Sequence, residues 1–287
     1  MKDHITKISL AIVFVLMLHF DVAFADTATE KTFLKISNEL VETQNFQELK
    51  KMDSLKIASK STTTKAIILT YHSVRDFEAK DSLFAKNFIT GISTFDKEMK
   101  YLKDNGFTVI SPADLVRLIE SGATSTQKYI IITFDDGYLS NYINAAPILE
   151  KYNLHATFFI YSDAISKFSV SMTWDNLKDL LSKGNTIGGH TKSHPQLTKI
   201  KNEKILEYEI LGNKKVLEEN LGTKIDFFAY PYGLRNPLII QKVKDAGYLG
   251  AMIDARGSLH TKKSLYEMNR INMNNDYDAF LKFVNLK

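Results

Sequence analysis

The chain has 287 residues, 44% hydrophobic and 24% charged, which is ordinary globular composition with length enough for one large core. Its formal net charge of +4 is small, and no long Lys/Arg stripe with interleaved aromatics runs through it, so nothing argues for a nucleic-acid partner. There is no cysteine, which excludes disulfides, a thiol nucleophile and a lipid-modified cysteine, and leaves His, Asp and Glu to form any metal site.

The N-terminus has the layout of a secretory signal. Lys2 and Lys7 precede an apolar stretch from Ile8 to Phe20, and Ala23 and Ala25 stand where a signal peptidase reads small residues. That stretch is shorter than the roughly 20 residues of a membrane span. Cleavage after Ala25 is expected, with an uncleaved anchor helix as the alternative and a secreted, periplasmic or cell-envelope location either way. No membrane span is expected in what remains. Residues 26–64 are polar; Phe33, Leu34, Ile36, Leu40 and Val41 fall near helical spacing, and Ser59 to Lys65 reads as a linker. The folded domain is expected over 65–287.

From Lys65 onward strands and helices alternate. Lys65–Val74 reads as a strand. A helix follows in the stretch Ser93–Phe107, with Ser93 or Thr94 as N-cap and Gly106 as stop. Phe107–Ser111 is a strand, and the next helix is expected over Ser111–Gly122, with Pro112 in its first turn. Strands are then expected at Lys128–Phe134, His155–Tyr161, Asn185–Thr191, Asp226–Pro231, Tyr248–Ile253 and Asn269–Met273. Helices are expected between them at Asn141–Tyr152, Thr173–Gly184, Asn202–Asn220 and Asn236–Gly247. Repeated βα units with nearly continuous apolar strands imply a parallel sheet covered by helices, and seven or eight of them a closed or nearly closed barrel. Chemistry in such a barrel sits at the C-terminal strand ends. The polar clusters fall there: "YHSV", "DDG", "HTKSH" and "PYG".

The run "IIITFDDG" carries a buried strand straight into Asp135 and Asp136. Two adjacent carboxylates need something positive beside them. A divalent metal ion is the simplest candidate, because "GGHTKSHPQ" supplies His190 and His194 at the same barrel end. Gly188, Gly189 and Pro195 make this a strand end and loop rather than a helix face. Two His and one carboxylate suit a catalytic ion with an open position for water; zinc is the default, and cobalt, nickel or manganese also fit. Successive side chains of an extended chain alternate, so the two Asp divide the work: one ligates, the other is a general base. The plainer alternatives are a surface turn and surface histidines; the buried strand speaks against the first.

Together "TFDDG", "HTKSH" and "AYPYG" resemble the polysaccharide deacetylases, carbohydrate esterases with a NodB-homology domain, over about Lys65 to Met273. The resemblance implies a distorted (β/α)7 barrel as a single catalytic domain, and metal-dependent removal of an N-acetyl (rarely O-acetyl) group from a sugar. It assigns Asp135 as catalytic base, and Asp136, His190 and His194 as metal ligands. Pro231, Tyr232 and Gly233 would be a groove wall whose Tyr232 N–H helps bind the oxyanion. Two features depart from the family pattern. The Arg that usually precedes the Pro-Tyr motif is replaced within "FFAY". The late Leu-x-His is matched only formally by "SLH" (Ser258 to His260), in a polar stretch that reads as a loop. A subgroup that deacetylates poly-β-1,6-N-acetylglucosamine resembles this chain in "TYHSV", "AYPYGLRN" and the Arg270–Ile271 pair. On that likeness His72 is the catalytic acid, with His260 as the alternative, and Arg270 orients Asp135 in place of the missing Arg.

The expected activity is that of a secreted, metal-dependent N-deacetylase of an acetylated amino-sugar polysaccharide, poly-β-1,6-N-acetylglucosamine first. Peptidoglycan, chitin oligomers or a lipid-linked sugar are the alternative substrates, and a non-catalytic glycan-binding relative is the alternative class. A serine esterase would need a Gly-x-Ser-x-Gly turn, which is absent. Tyr138 and Tyr142 are expected to line the groove, Trp174 to pack, His155 to lie at the surface, and the lysine-rich region from Lys199 to Lys224 to present solvated faces. Nothing in the sequence speaks to oligomeric state.

Overall fold

The computed structural model describes residues 63–122 and 126–285. The expected signal segment, and the polar segment up to residue 62, lie outside the described residues.

Strand β1 (Thr64–Tyr71) and strand β5 (Lys128–Phe134) are the apolar runs AIILTY and YIIITF, and they pair in parallel from Ala66↔Tyr129 to Tyr71↔Phe134. From β5 the ring continues in parallel through β6 (Thr157–Ile160), β7 (Thr186–Gly189), β8 (Phe227–Ala229), β9 (Gly250–Asp254) and β11 (Met268–Asn272), which returns to β1. Seven parallel strands thus close a distorted (β/α)7 barrel. The distortion has a local cause. The outer edge of β5 is shared: β4 (Phe107–Val109) takes its first residues, and β6 joins only at Thr133 and Phe134. Two small strands, β2 (Ser73–Val74) and β3 (Ile89–Thr90), pair apart from the barrel, and β10 (Leu259–His260) runs antiparallel to the start of β1.

Alternation along the strands sorts the core into two compartments. Ala66, Ile68, Ile131, Phe159, Phe227, Ala229, Met252 and Met268 fill the barrel with Leu115, Val116 and Ile119, while Ile67, Leu69, Tyr71, Ile130, Ile132 and Phe134 pack outward under the helices. The inward series of β5 continues through Thr133 to Asp135, that of β11 to Arg270, and that of β9 to Asp254. Their period of two places these charged groups at the barrel mouth.

Helix ends follow local chemistry with one exception. The helices after the short α1 (Leu83–Lys86) are α2 (Ile92–Asp104), α3 (Pro112–Ser121), α4 (Ala146–Tyr152), α5 (Trp174–Ser182), α6 (Glu203–Leu221), α7 (Pro237–Asp245) and α8 (Tyr277–Val284). Ser111, Thr173, Asn202, Asn236 and Asp276 each cap a helix through the side chain. Helix α4 runs on from the π-helical turn Asn141–Ala145 and has no side-chain cap at Ala145; the exception among helices that start afresh is α2. Its N-cap is Gly91, and Ser93 and Thr94 lie inside the first turn. The first N–H groups are satisfied from afar, Gly91 by Asn275 Oδ1 (3.0 Å) and Ile92 by Asp76 Oδ1 (3.2 Å), so a rule reading adjacent residues misplaces the start. The strand expected over Lys65–Val74 breaks after Tyr71, leaving His72 between β1 and β2. Helix α8 and strand β10 were not anticipated. Among the described residues no helix is long and apolar enough to cross a membrane.

Candidate active site

The two adjacent carboxylates separate because the backbone turns between them. Asp135 still pairs with β1, its N–H donating to Tyr71 O at 2.9 Å. Asp136 has φ 71° and Gly137 φ 72°, so the chain reverses at once. Asp135, 1% exposed, points into the barrel and meets Arg270 of β11: Nη1 donates to Oδ1 and Nη2 to Oδ2, both at 2.7 Å. Nη2 also donates to Asp254 Oδ1 at 2.8 Å, and the guanidinium lies over the Phe159 ring. Burial pushes the Asp135 carboxyl up, but Arg270, His190 and His72 outweigh it and hold it well below the usual range.

Asp136 turns the other way. Its Oδ1 lies 3.6 Å from His190 Nε2 and 3.3 Å from His194 Nε2, and is a buried oxygen with no hydrogen-bond partner. His190 Nδ1–H donates to Ala229 O at 2.7 Å, which turns Nε2 toward the carboxylates; burial lowers the His190 pKa, but Asp135 and Asp136 outweigh it and raise it. Burial, then His190, lowers the His194 pKa to about 4, so that ring is neutral at physiological pH. One donor atom from each of Asp136, His190 and His194 falls within 4.8 Å of the other two. Two imidazole Nε2 atoms turned toward one orphaned carboxylate oxygen fit a divalent cation.

His72 is fixed from both sides by Asn141, a wholly buried residue: Asn141 Nδ2 donates to His72 O (2.6 Å), and Val74 N–H donates to Asn141 Oδ1 (3.0 Å). The imidazole stands edge-on to Phe88 at 4.9 Å, and its Nδ1 has no partner. His72 lines one groove of about 1160 Å³ with Asp135, Asp136, His190, His194 and Tyr232. That is larger than most small-molecule pockets and suits an extended ligand. His260 is not brought there. It is wholly buried, with Nε2 3.0 Å from Ala66 O, near the opposite end of β1 from His72.

Pro231 and Gly233 are buried, whereas Tyr232 is 54% exposed, with φ 61° and its ring 4.8 Å from that of His194. Gly233 (φ 65°) allows a close approach: a Cβ would meet Asp254 N at 2.9 Å. Asp136, Thr191, His194 and Tyr232 are all non-glycine residues in the left-handed region, so backbone strain concentrates at this barrel end.

Two site residues escaped the sequence reading. Asp254 ends the apolar strand β9 as Asp135 follows β5, so the reasoning applied to "TFDD" would have found it in "AMID". Asn141 gives no sequence signal. Tyr138 lines the groove, but Tyr142 does not; its hydroxyl donates to Asp179 at 3.1 Å. Trp174 packs half-buried against the core and His155 is exposed. Lys214 is an exception to the solvated lysine face: 9% exposed, it donates to Ile225 O.

A family model described as polysaccharide deacetylase matches residues 122–251, taking in Asp135, Asp136, His190, His194 and Tyr232 but neither His72 nor Arg270. A poly-β-1,6-N-acetyl-D-glucosamine N-deacetylase of Staphylococcus aureus is 26% identical over 202 residues, 63% of this chain and 69% of that one. A peptidoglycan-N-acetylglucosamine deacetylase of Bacillus cereus is 34% identical over 125 residues, 43% of this chain; the match spans 55% of that relative's length. Among solved structures, the Streptococcus pyogenes deacetylase PplD in complex with acetate has the same fold, with TM-score 0.71 at 24% identity, covering 78% of this chain and 99% of that one.

Proposed function

We propose that the chain, which carries a polysaccharide deacetylase domain matched over residues 122–251, is a divalent-metal-dependent N-deacetylase of N-acetylglucosamine-containing glycan, exported from the cytoplasm, with poly-β-1,6-N-acetylglucosamine as the favoured polymer. The observation that carries the reading is the meeting of the Asp136, His190 and His194 donor atoms beside the ion-paired Asp135, in the groove that His72 lines. The choice of polymer rests on His72 following the first strand, on Arg270 arriving from the last, and on the Staphylococcus aureus relative. Export rests on the sequence of residues 1–25.

Asp136, His190 and His194 would hold the ion. When bound, a divalent cation there supplies Lewis acidity, polarising a carbonyl and easing loss of a proton from water. Asp135 takes the proton of the attacking water as the oxygen adds to the amide carbon. Arg270 keeps that carboxylate ionised and fixed, and each of its oxygens retains a second lone pair. The Tyr232 N–H donates to the developing oxyanion. His72 protonates the amine nitrogen as the C–N bond breaks, since an unprotonated amide nitrogen is a very poor leaving group. The products are acetate and a free amino sugar, so each turnover adds positive charge to the polymer.

The test is acetate release from β-1,6- and β-1,4-linked N-acetylglucosamine oligomers and from peptidoglycan. Each is assayed before and after chelation, with zinc or cobalt restored, and with Asp135→Asn and His72→Ala. Metal-dependent release led by the β-1,6 oligomers is the expected result. Release from peptidoglycan alone would move the substrate to the second reading, which the 34% identical Bacillus cereus relative favours. No release from any of them would leave the glycan-binding reading.

A further inference from the structure

The two histidines end a short turn, His190–His194, whose Thr191 (φ 68°) and His194 (φ 60°) both adopt a backbone conformation that side chains with a Cβ disfavour. Thr191 Oγ1 accepts the His194 N–H at 3.0 Å, but that bond lies within the turn and does not anchor it.

The anchor comes from α6. Glu209, 5% exposed, accepts three hydrogen bonds from the turn: Lys192 N–H (3.0 Å), Ser193 N–H (2.9 Å) and Ser193 O–H (2.6 Å). Four residues on, Asn213 is wholly buried, and its Nδ2 donates to Thr191 O (2.6 Å) and Ile160 O (3.1 Å). Two polar side chains thus interrupt a helix face whose other buried members include Leu206, Ile210 and Leu217. Burying a carboxylate and an amide is unfavourable unless their partners are fully used. Here four of the five partners belong to the turn between the two histidines, three of them backbone groups and one the Ser193 hydroxyl; Ile160 O lies on β6, and Asn213 Oδ1 accepts no hydrogen bond. Neither residue lines the groove, so neither meets substrate.

We propose that Glu209 and Asn213 are positioning residues for the metal ligands, a carboxylate and an amide that hold the His190–His194 turn in its strained form. What they supply is affinity for the ion. The proposal rests on the reading that Asp136, His190 and His194 bind a divalent cation.

The experiment measures zinc and cobalt dissociation constants by chelator competition on the full chain stripped of metal, together with circular dichroism and the melting temperature. Glu209→Ala is expected to weaken zinc binding by about 10–100-fold, the range for residues that orient metal ligands, with circular dichroism unchanged. Glu209→Gln recovers most of that loss, because its carbonyl oxygen can accept both N–H groups and its amide can donate to Ser193 Oγ. His194→Ala is the control for the underlying reading. If wild-type protein binds zinc no better than His194→Ala, the metal reading fails. If wild type binds tightly and folded Glu209→Ala stays within twofold of it, or Glu209→Gln is no better than Glu209→Ala, the positioning role is overturned. Should Glu209→Ala not fold, Ser193→Ala and Asn213→Ala decide: both weaken zinc binding on this proposal, and wild-type affinity in both overturns it.

Discussion

Arg270 grips Asp135 with two parallel hydrogen bonds of 2.7 Å, and its guanidinium is wholly buried between that carboxylate and Asp254. A buried pair of this kind is costly to break from one side, because the survivor keeps its charge without a partner. Arg270→Met should therefore destabilise the protein by about 3–5 kcal/mol. Chemical denaturation at pH 7 checks the size. Asp254→Asn leaves the two bonds to Asp135 intact and should cost distinctly less in the same experiment.

The acid role proposed for His72 is tested by substrates that differ in leaving group. His72→Ala should lower the rate on an N-acetylated sugar by about 10²–10⁴-fold. It should spare an aryl acetate, whose leaving group departs without a proton. Equal losses on both substrates, measured as kcat/KM at saturating metal, would remove His72 from that role.

Sequence and structure agree most where a strand's own alternation carries the argument. Asp135 and Asp136 were legible because an apolar strand ends in them, and His190 and His194 because the glycines before them end another. Arg270 was placed on a late strand, and its partner followed from the family pattern. What stayed hidden depends on contacts remote in sequence. Asn141 bonds around His72 from 69 residues away, and Glu209 reaches Ser193 across 16 residues. The start of α2 was misread because Asp76 and Asn275 do the capping. Asp254 differs, since its signal was present in the strand that it ends.

Glu98 on α2 gives a pH signature unrelated to catalysis. It is wholly buried, and burial pushes its pKa up to about 8 although the Tyr71 hydroxyl donates to it at 2.8 Å. The folded value lies above the unfolded one of about 4.3. Between the two the folded protein binds the extra proton, so stability falls as pH rises, by up to about 1.4 kcal/mol per unit. Glu98→Gln should flatten this fall between pH 5 and 8 while changing little at pH 4. Urea melts across that range check it.

On the proposed function, removing the metal should lower the melting temperature as well as the activity. An ion bound only by the folded state stabilises it by about 2.7 kcal/mol at a hundredfold excess over Kd. Chelated protein should regain both properties when zinc is restored. Protein carrying His194→Ala should show no zinc-dependent shift in calorimetry.

Strand β1 closes the ring by pairing with β11, joining Leu69 to Ile271. Contacts so distant in sequence are paid for in loop entropy before they are rewarded, and form late in folding. The strand that completes the barrel also delivers Arg270 to Asp135. A chain emerging from a ribosome therefore carries Asp135 without a counter-charge until β11 is out. Assembly of this barrel mouth waits on the emergence of β11, and a fragment truncated before it would lack both a closed barrel and a neutralised interior.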